Sequence, residues 1–170
     1  VDMQKLLFPV TIKEFELSGS GTVSLRDGID VSGECTNAVV SPPVKVAGNQ
    51  IWNVAEGAKL SIDAPINVLY GSEKIHKTGG GSLYLNAESE AMGPFTLGSR
   101  TEDGGVVFVN VAKNAFGPAS DVHEVRICGV TSSGSQGAVS FKCSSVVERP
   151  FTLDSENSYY VFALRENVTA

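Results

Sequence analysis

Closely spaced acidic side chains are the residues of this sequence with the clearest potential for chemistry. Two carboxylates on neighbouring strands can act as general acid and base, or as nucleophile, in glycoside cleavage. Three groups have suitable spacing: Glu14 and Glu16; Asp27, Asp30 and Glu34 with Arg26; and Glu88 and Glu90. Alternating acids also suit a solvated strand face, where charge discourages edge-to-edge aggregation. We interpret all three groups as outward faces and predict no catalytic residue among them.

The remaining candidates for catalysis lack the partners that the chemistry needs. The two histidines, His76 and His123, have no evident partner along the chain, whereas a nucleophilic site needs a Ser or Cys held by a His and an acid. Gly79–Gly81 lacks the phosphate-loop pattern and no predicted helix follows it, so we interpret it as a chain corner. The sequence therefore predicts no catalytic, cofactor-binding or metal-binding residue, and no enzyme.

Three cysteines, Cys35, Cys128 and Cys143, leave the redox state open. There is no Cys-x-x-Cys pair and no His at ligand spacing, so a structural zinc site has no support. Cys128 and Cys143 both lie in short strand-like segments and can form a disulfide. The alternative is that they are small buried apolar residues.

Aromatic side chains are the other binding candidates. Where they face outward, such rings can stack on sugars. The set consists of Trp52, Tyr70, Tyr84, Tyr159 and Tyr160. We expect Trp52 to pack inside the protein or against a turn.

The composition narrows the class of protein that must position these residues. The chain has 170 residues, of which 42% are hydrophobic, and a net charge of −6. That apolar content can build a core, which argues against disorder, and the length suits one domain over residues 1–170 or a piece of a larger repetitive one. The acidic balance argues against a nucleic-acid partner, which requires clustered Lys and Arg. The apolar runs are too short to span a membrane.

Short segments of alternating hydrophobicity recur along the whole chain and predict an all-β fold. Two series of apolar residues are evenly spaced, with successive members a dozen positions apart. They are Leu83, Phe95 and Val107, and Ile127, Val139 and Phe151. Two such steps give a repeat of about 24 residues, a length that is typical of solenoid coils. Very short strands at this repeat favour a right-handed parallel β-helix, or solenoid, in which each coil stacks on the last. A β-sandwich also has strands at this spacing and is the alternative.

One stretch resembles a known repeat. Lys77-Thr-Gly-Gly-Gly-Ser-Leu-Tyr-Leu85, preceded by Ile51–Ile62 and followed by Phe95–Leu97 and Gly104–Asn110, is similar to the autotransporter-associated β-strand repeat. That repeat builds the passenger β-helices of large secreted and surface proteins of Gram-negative bacteria. The clearest match covers residues 51–110. The cysteines depart from the pattern, and residues 1–50 show only general β character.

The resemblance implies a non-enzymatic structural or adhesive scaffold: a β-helical passenger segment that is displayed or secreted at the cell surface. The partners that it implies are adjoining coils or copies of the same chain, stacked end to end, and surface glycans or a host protein. Inward-facing residues should form columns along the stack. The predicted set is Leu60, Ile62, Leu83, Leu85, Phe95, Leu97, Val107 and Val109.

Two other functions remain open from the sequence. The first is a self-assembling filament or pilin-like subunit with a β-sandwich, which donates an apolar strand from residues 5–17 to a neighbour. The second is a carbohydrate-active enzyme on the β-helix fold, which requires an acidic cleft along one face.

Overall fold

The computed structural model describes residues 1–9, 11–99, 101–128, 137–142, 145–147, 149–154 and 161–165. Regular structure in these residues consists of β-strands. The strands are β1 Asp2–Phe8, β2 Glu14–Leu17, β3 Val23–Val31, β4 Asn37–Val40, β5 Val44–Val46, β6 Gln50–Val54, β7 Lys59–Ile62, β8 Ile66–Val68, β9 Ile75–Thr78, β10 Ser82–Leu85, β11 Phe95–Leu97, β12 Val106–Val109, β13 Val125–Cys128, β14 Ala138–Lys142, β15 Phe151–Asp154 and β16 Val161–Arg165.

The strands form two parallel sheets whose order shows that the chain winds as a solenoid. Sheet 1 has the order β15-β13-β11-β9-β6-β3-β5-β8, with β1 also paired to β3. Sheet 2 has the order β16-β14-β12-β10-β7-β4-β2. Successive coils contribute neighbouring strands to each sheet, and the stack has about six turns. The all-β parallel β-helix is therefore confirmed. The β-sandwich alternative is wrong, because every strand pair in the described residues is parallel, whereas sandwiches are built from antiparallel hairpins.

The even spacing of Leu83, Phe95 and Val107 corresponds to half a coil at each step. Leu83 in sheet 2 pairs with Leu60 on one side and Val107 on the other, while Phe95 lies between Leu83 and Val107 in sequence and belongs to sheet 1. The eight residues expected to face inward are all at most 2% exposed. The second series deviates, because Ile127 pairs with Leu153 rather than with Phe151.

The corner between sheet 1 and sheet 2 is made by Gly79–Gly81, between β9 and β10. Gly79 has a φ of 79°, a conformation that strains any residue with a Cβ atom. The corner interpretation of this glycine run is confirmed by its position.

Polar side chains form ladders along the outside of the stack. Asn110 donates a hydrogen bond to Asn86 at 2.6 Å, and Asn86 donates to Asp63 at 2.6 Å. These three residues directly follow sheet 2 strands of successive coils, β12, β10 and β7. The ladder therefore links three coils by side chains, in addition to the backbone pairing.

Candidate functional site: a polar groove on sheet 1

The acidic groups that the sequence singled out lie on the outer surface. Asp30 accepts hydrogen bonds from Asn53 at 2.9 Å and from Lys5 at 3.0 Å. Burial raises the pKa of Asp30, but the hydrogen bonds from Asn53 and Lys5 outweigh this effect and bring it below its ordinary value. Arg26, Asp27 and Glu34 are exposed.

The other two acidic pairs are likewise positioned outside the coil. Glu16 accepts a hydrogen bond from Ser41 at 3.0 Å, and Glu90 accepts one from Asn67 at 2.9 Å. Both contacts join neighbouring coils. The partners of these acids in sequence, Glu14 and Glu88, are exposed. Glu16 and Glu90 thus contribute rungs to outer ladders, as the outward-face interpretation expected.

The aromatic candidates separate into inner and outer residues. Trp52 is fully buried, as predicted, and its indole N–H donates to Gln50 Oε1 at 2.7 Å. Tyr84 lies on the outer face and stacks on Phe108, with ring centroids 4.5 Å apart. Tyr70 is 77% exposed. Tyr159 and Tyr160 lie outside the described residues.

Of the three cysteines, Cys35 and Cys128 lie within the described residues. Cys143 lies outside the described residues, so the Cys128–Cys143 disulfide stays a prediction. Cys35 is a buried free thiol, and burial raises its pKa.

A buried lysine, Lys77, sits inside the coil next to the glycine corner. Lys77 is fully buried and pairs in register with Trp52 and Leu97 of the neighbouring coils. Its ammonium donates to the carbonyl oxygens of Thr78 at 3.0 Å, Gly79 at 2.7 Å and Gly104 at 2.8 Å. The lysine therefore joins the corner of its own coil to that of the next.

Burial lowers the pKa of Lys77 to about 7, although the nearby Asp103 carboxylate acts in the opposite direction. Within the strand, alternation places Lys77 on the same face as Ile75, and this was the one signal in the sequence that it points inward.

A second buried charge, Arg149, holds the stretch between β12 and β13, residues 110–124, which we call the return segment. Arg149 is 4% exposed and donates to the carbonyl oxygens of His123 (Nε, 3.0 Å), Gly93 (Nη2, 2.8 Å) and Phe116. Its Nη1 lies 3.3 Å from the carboxylate of Asp121. Because three backbone carbonyls and a carboxylate satisfy it, this guanidinium can be buried without a large penalty.

Asp121 in turn holds His123. One carboxylate oxygen accepts from the His123 backbone N–H at 3.2 Å and lies 2.7 Å from the ring Nδ1, while the other accepts from the backbone N–H of Gly93 at 3.1 Å. Burial raises the pKa of Asp121, but hydrogen bonds from His123 and the charge of Arg149 bring it below its ordinary value.

The expectation that the histidines have no partner is wrong for both of them. Asp121 orients the ring of His123. His76 Nε2 lies 2.8 Å from the carbonyl oxygen of Gly98 in the next coil, so its ring bonds to the backbone. The Asp121–His123 contact had a signal in the sequence, because only one residue separates the two, whereas the partner of His76 is a main-chain oxygen that no motif identifies.

His123 lines a groove of about 290 Å³ on the outer face of sheet 1. The groove crosses three successive coils at the starts of β9, β11 and β13. Its lining consists of Lys74, Pro94, Thr96, His123, Glu124 and Arg126. Thr96 and Arg126 are registered partners on adjacent strands. Neighbouring parallel strands are about 4.8 Å apart, so these residues form one continuous surface.

Two of the charged groups in this groove are already paired. Arg126 lies 3.2 Å from Glu124 and 3.5 Å from Asp154, and Glu124 also accepts a hydrogen bond from Thr152 at 2.6 Å. In contrast, Lys74 Nζ, Thr96 Oγ1 and His123 Nε2 have no hydrogen-bond partner among the described residues. The groove thus presents three polar groups that are available to a ligand.

A larger groove, of about 470 Å³, runs beside β5 and β8. Pro43, Pro65 and Leu69 line it, together with Lys45. Its other polar side chains include Asn67 and Glu90, which bond to each other. The buried carboxylate close to this groove in the chain, Glu73, accepts from the backbone N–H of Tyr70 and is not one of the lining residues.

Comparison with known proteins gives no relative: no family model matches, and neither the curated proteins nor the solved structures gave a match. No group of three potential metal-ligating side chains occurs among the described residues. In the same residues no helix has the length and apolar character to cross a membrane.

Proposed function

We propose that the chain is a non-enzymatic structural and adhesive scaffold, a β-helical passenger segment displayed or secreted at the cell surface. The observation that carries the scaffold role is the unbroken register of parallel strands, with buried columns inside and hydrogen-bonded ladders outside. About six coils at about 4.8 Å each make a stack roughly 30 Å long. Such a stack holds its outer surface in fixed positions.

The surface location is supported by the resemblance of Lys77–Leu85 to the passenger repeat. An antibody against the purified chain, applied to intact cells of the producing organism, tests it. We expect labelling of intact cells, or recovery of the chain from the medium. A control antibody against an internal protein should label only lysed cells. If the chain too is labelled only after lysis, the surface proposal fails.

Self-association through coil stacking is the proposed partner interaction. Strand β1 pairs with β3 on one side, and Leu7 and Phe15 in the first coil are 62% and 37% exposed. An unpaired parallel edge with apolar side chains can be covered by a further coil or by a second copy. Sedimentation velocity of the purified chain should show association that Leu7→Lys weakens and Lys45→Met does not. A monomer at all concentrations would contradict stacking between copies.

The carbohydrate-active alternative has one observation in its favour, the Asp121–His123 pair beside a groove. An oriented imidazole can act as a general base. Release of new reducing ends from acidic and neutral polysaccharides measures such activity. We expect none; turnover by the wild-type chain that His123→Gln abolishes would replace the scaffold proposal with an enzyme.

A further inference from the structure

We propose that the groove at the starts of β9, β11 and β13 binds a hydroxylated monocarboxylate, the chemistry of a hexuronic acid unit in an acidic saccharide. This inference gives the adhesive scaffold a ligand class and in that sense rests on the proposed function. The binding itself is a property of the purified chain.

The groove is built around a fixed side chain. Arg149 and Asp121 are charges removed from water, and such charges are retained without a large penalty only when every polar atom is matched. Both charges bind backbone groups of several residues, and His123 is common to them: Arg149 binds its carbonyl oxygen, and Asp121 binds its backbone N–H and Nδ1. Because Nδ1 is engaged, Nε2 is the ring atom left for a ligand. A side chain held in this way is preorganised, which reduces the entropy lost on binding.

The position of the charges favours a ligand whose carboxylate lies at Lys74. Arg126 lies beside two carboxylates, Glu124 and Asp154, so these three groups together carry one excess negative charge. The ammonium of Lys74 makes no ion pair among the described residues and offsets that charge, so it is the lining group that can meet an anion. A single ammonium in a groove that also holds Glu124 complements one carboxylate better than it complements a dianionic phosphate, which Glu124 would repel more strongly.

The remaining lining favours hydroxyl groups over a bare carboxylate. Thr96 can donate and accept a hydrogen bond, and Glu124 keeps acceptor sites beyond those used by Thr152 and Arg126. Hydroxyl donors of a sugar would satisfy these acceptors, while the ring of Pro94 offers an apolar wall to its C–H face. A volume of about 290 Å³ suits one sugar unit.

Titration of the purified chain with glucuronate, followed by NMR of the His123 ring and by calorimetry, tests the proposal. A single sugar in an open groove should bind with a Kd on the order of 10⁻³ M. Glucose has the hydroxyl groups without the carboxylate, and acetate has the carboxylate without the hydroxyl groups. Each should bind at least tenfold more weakly than glucuronate. Equal binding of acetate would overturn the saccharide part, and tighter binding of phosphate or sulfate would overturn the monocarboxylate.

Matched variants locate the site. Lys74→Met and Thr96→Val alter exposed or half-buried side chains and should weaken glucuronate binding, about tenfold for Lys74→Met. Lys45→Met, in the larger groove, is the control and should bind as the wild type does. Equal loss in Lys45→Met and Lys74→Met would show non-specific charge attraction and sink the proposal. Surface display without glucuronate binding refutes only the ligand, whereas binding without display refutes only the surface role.

Discussion

The buried lysine makes the stability of the solenoid depend on pH in an unusual direction. The folded chain releases the Lys77 proton at a pH of about 7, whereas the unfolded chain retains it up to about 10.5. Between these values the unfolded state binds more protons, so the free energy of unfolding must rise with pH. Below pH 7 the lysine is protonated in both states, so it does not make the free energy of unfolding change with pH. Above pH 7 the neutral amine still has two N–H groups to donate to the surrounding carbonyls.

The size of the effect follows from the difference in pKa. Each pH unit in this window contributes about 1.4 kcal/mol, less close to the folded pKa. Between pH 7 and pH 9 the contribution of Lys77 is therefore about 2 kcal/mol. Lys45 provides the comparison, because it lies on the outer face of β5 and solvent reaches its side chain.

Urea denaturation at pH 7, 8 and 9 measures this contribution in wild type, Lys77→Met and Lys45→Met. The free energy of unfolding of the wild type should increase with pH relative to Lys77→Met, by about 2 kcal/mol over the range. Lys45→Met should follow the wild type. Parallel curves for wild type and Lys77→Met would refute the reasoning. NMR titration of the Lys77 Nζ in the wild-type chain provides a second measurement, and a midpoint near the ordinary lysine value of 10.5 would refute it equally.

Three further changes test the packing. Gly81→Ala places a Cβ against the backbone oxygen of Ala55 in the preceding corner and should cost about 2 kcal/mol or more. At Gly80 the Cβ meets mainly side chains, so Gly80→Ala should be tolerated, and the urea midpoints of the two variants compare them. Leu83→Ala truncates a fully buried column residue and should cost about 2–5 kcal/mol in the same assay. Arg149→Met leaves the carboxylate of Asp121 without its cation and should lower the free energy of unfolding by about 3 kcal/mol. The NMR signals of the His123 ring should change in the same variant.

The coil architecture could be predicted because two local signals agree. Alternation defines the face of each side chain, and the spacing from Leu83 to Val107 equals one coil, so the inward column follows directly. The glycines at Gly79–Gly81 mark the corner between the two sheets. The pairing of Ile127 with Leu153 instead of Phe151 could not be predicted, because the coil that contains Ile127 differs in length from the coil between Leu83 and Val107.

The buried charges could not be placed from sequence, because their partners include backbone atoms that are far away along the chain. Alternation did place Lys77 inside, but an inward lysine is plausible only once acceptors are known, and one of them, the Gly104 carbonyl, is 27 residues away. Arg149 binds the Phe116 carbonyl, 33 residues earlier. Backbone carbonyls occur at every residue, so no composition or motif identifies which of them converge.

The location of the groove follows from an irregularity in the coil length. The stretch of chain from Phe95 to its registered partner Val125 is half as long again as the stretch from Ile75 to its partner Phe95. The longer coil includes the return segment that carries Asp121 and His123, and Arg149 from the next coil fixes that segment against the stack. Regular coils supply a rigid frame, and binding residues concentrate where a loop departs from it. The two buried charges fix the backbone of this segment and, through Asp121, the ring of His123, so this coil is where a preorganised side chain meets a groove.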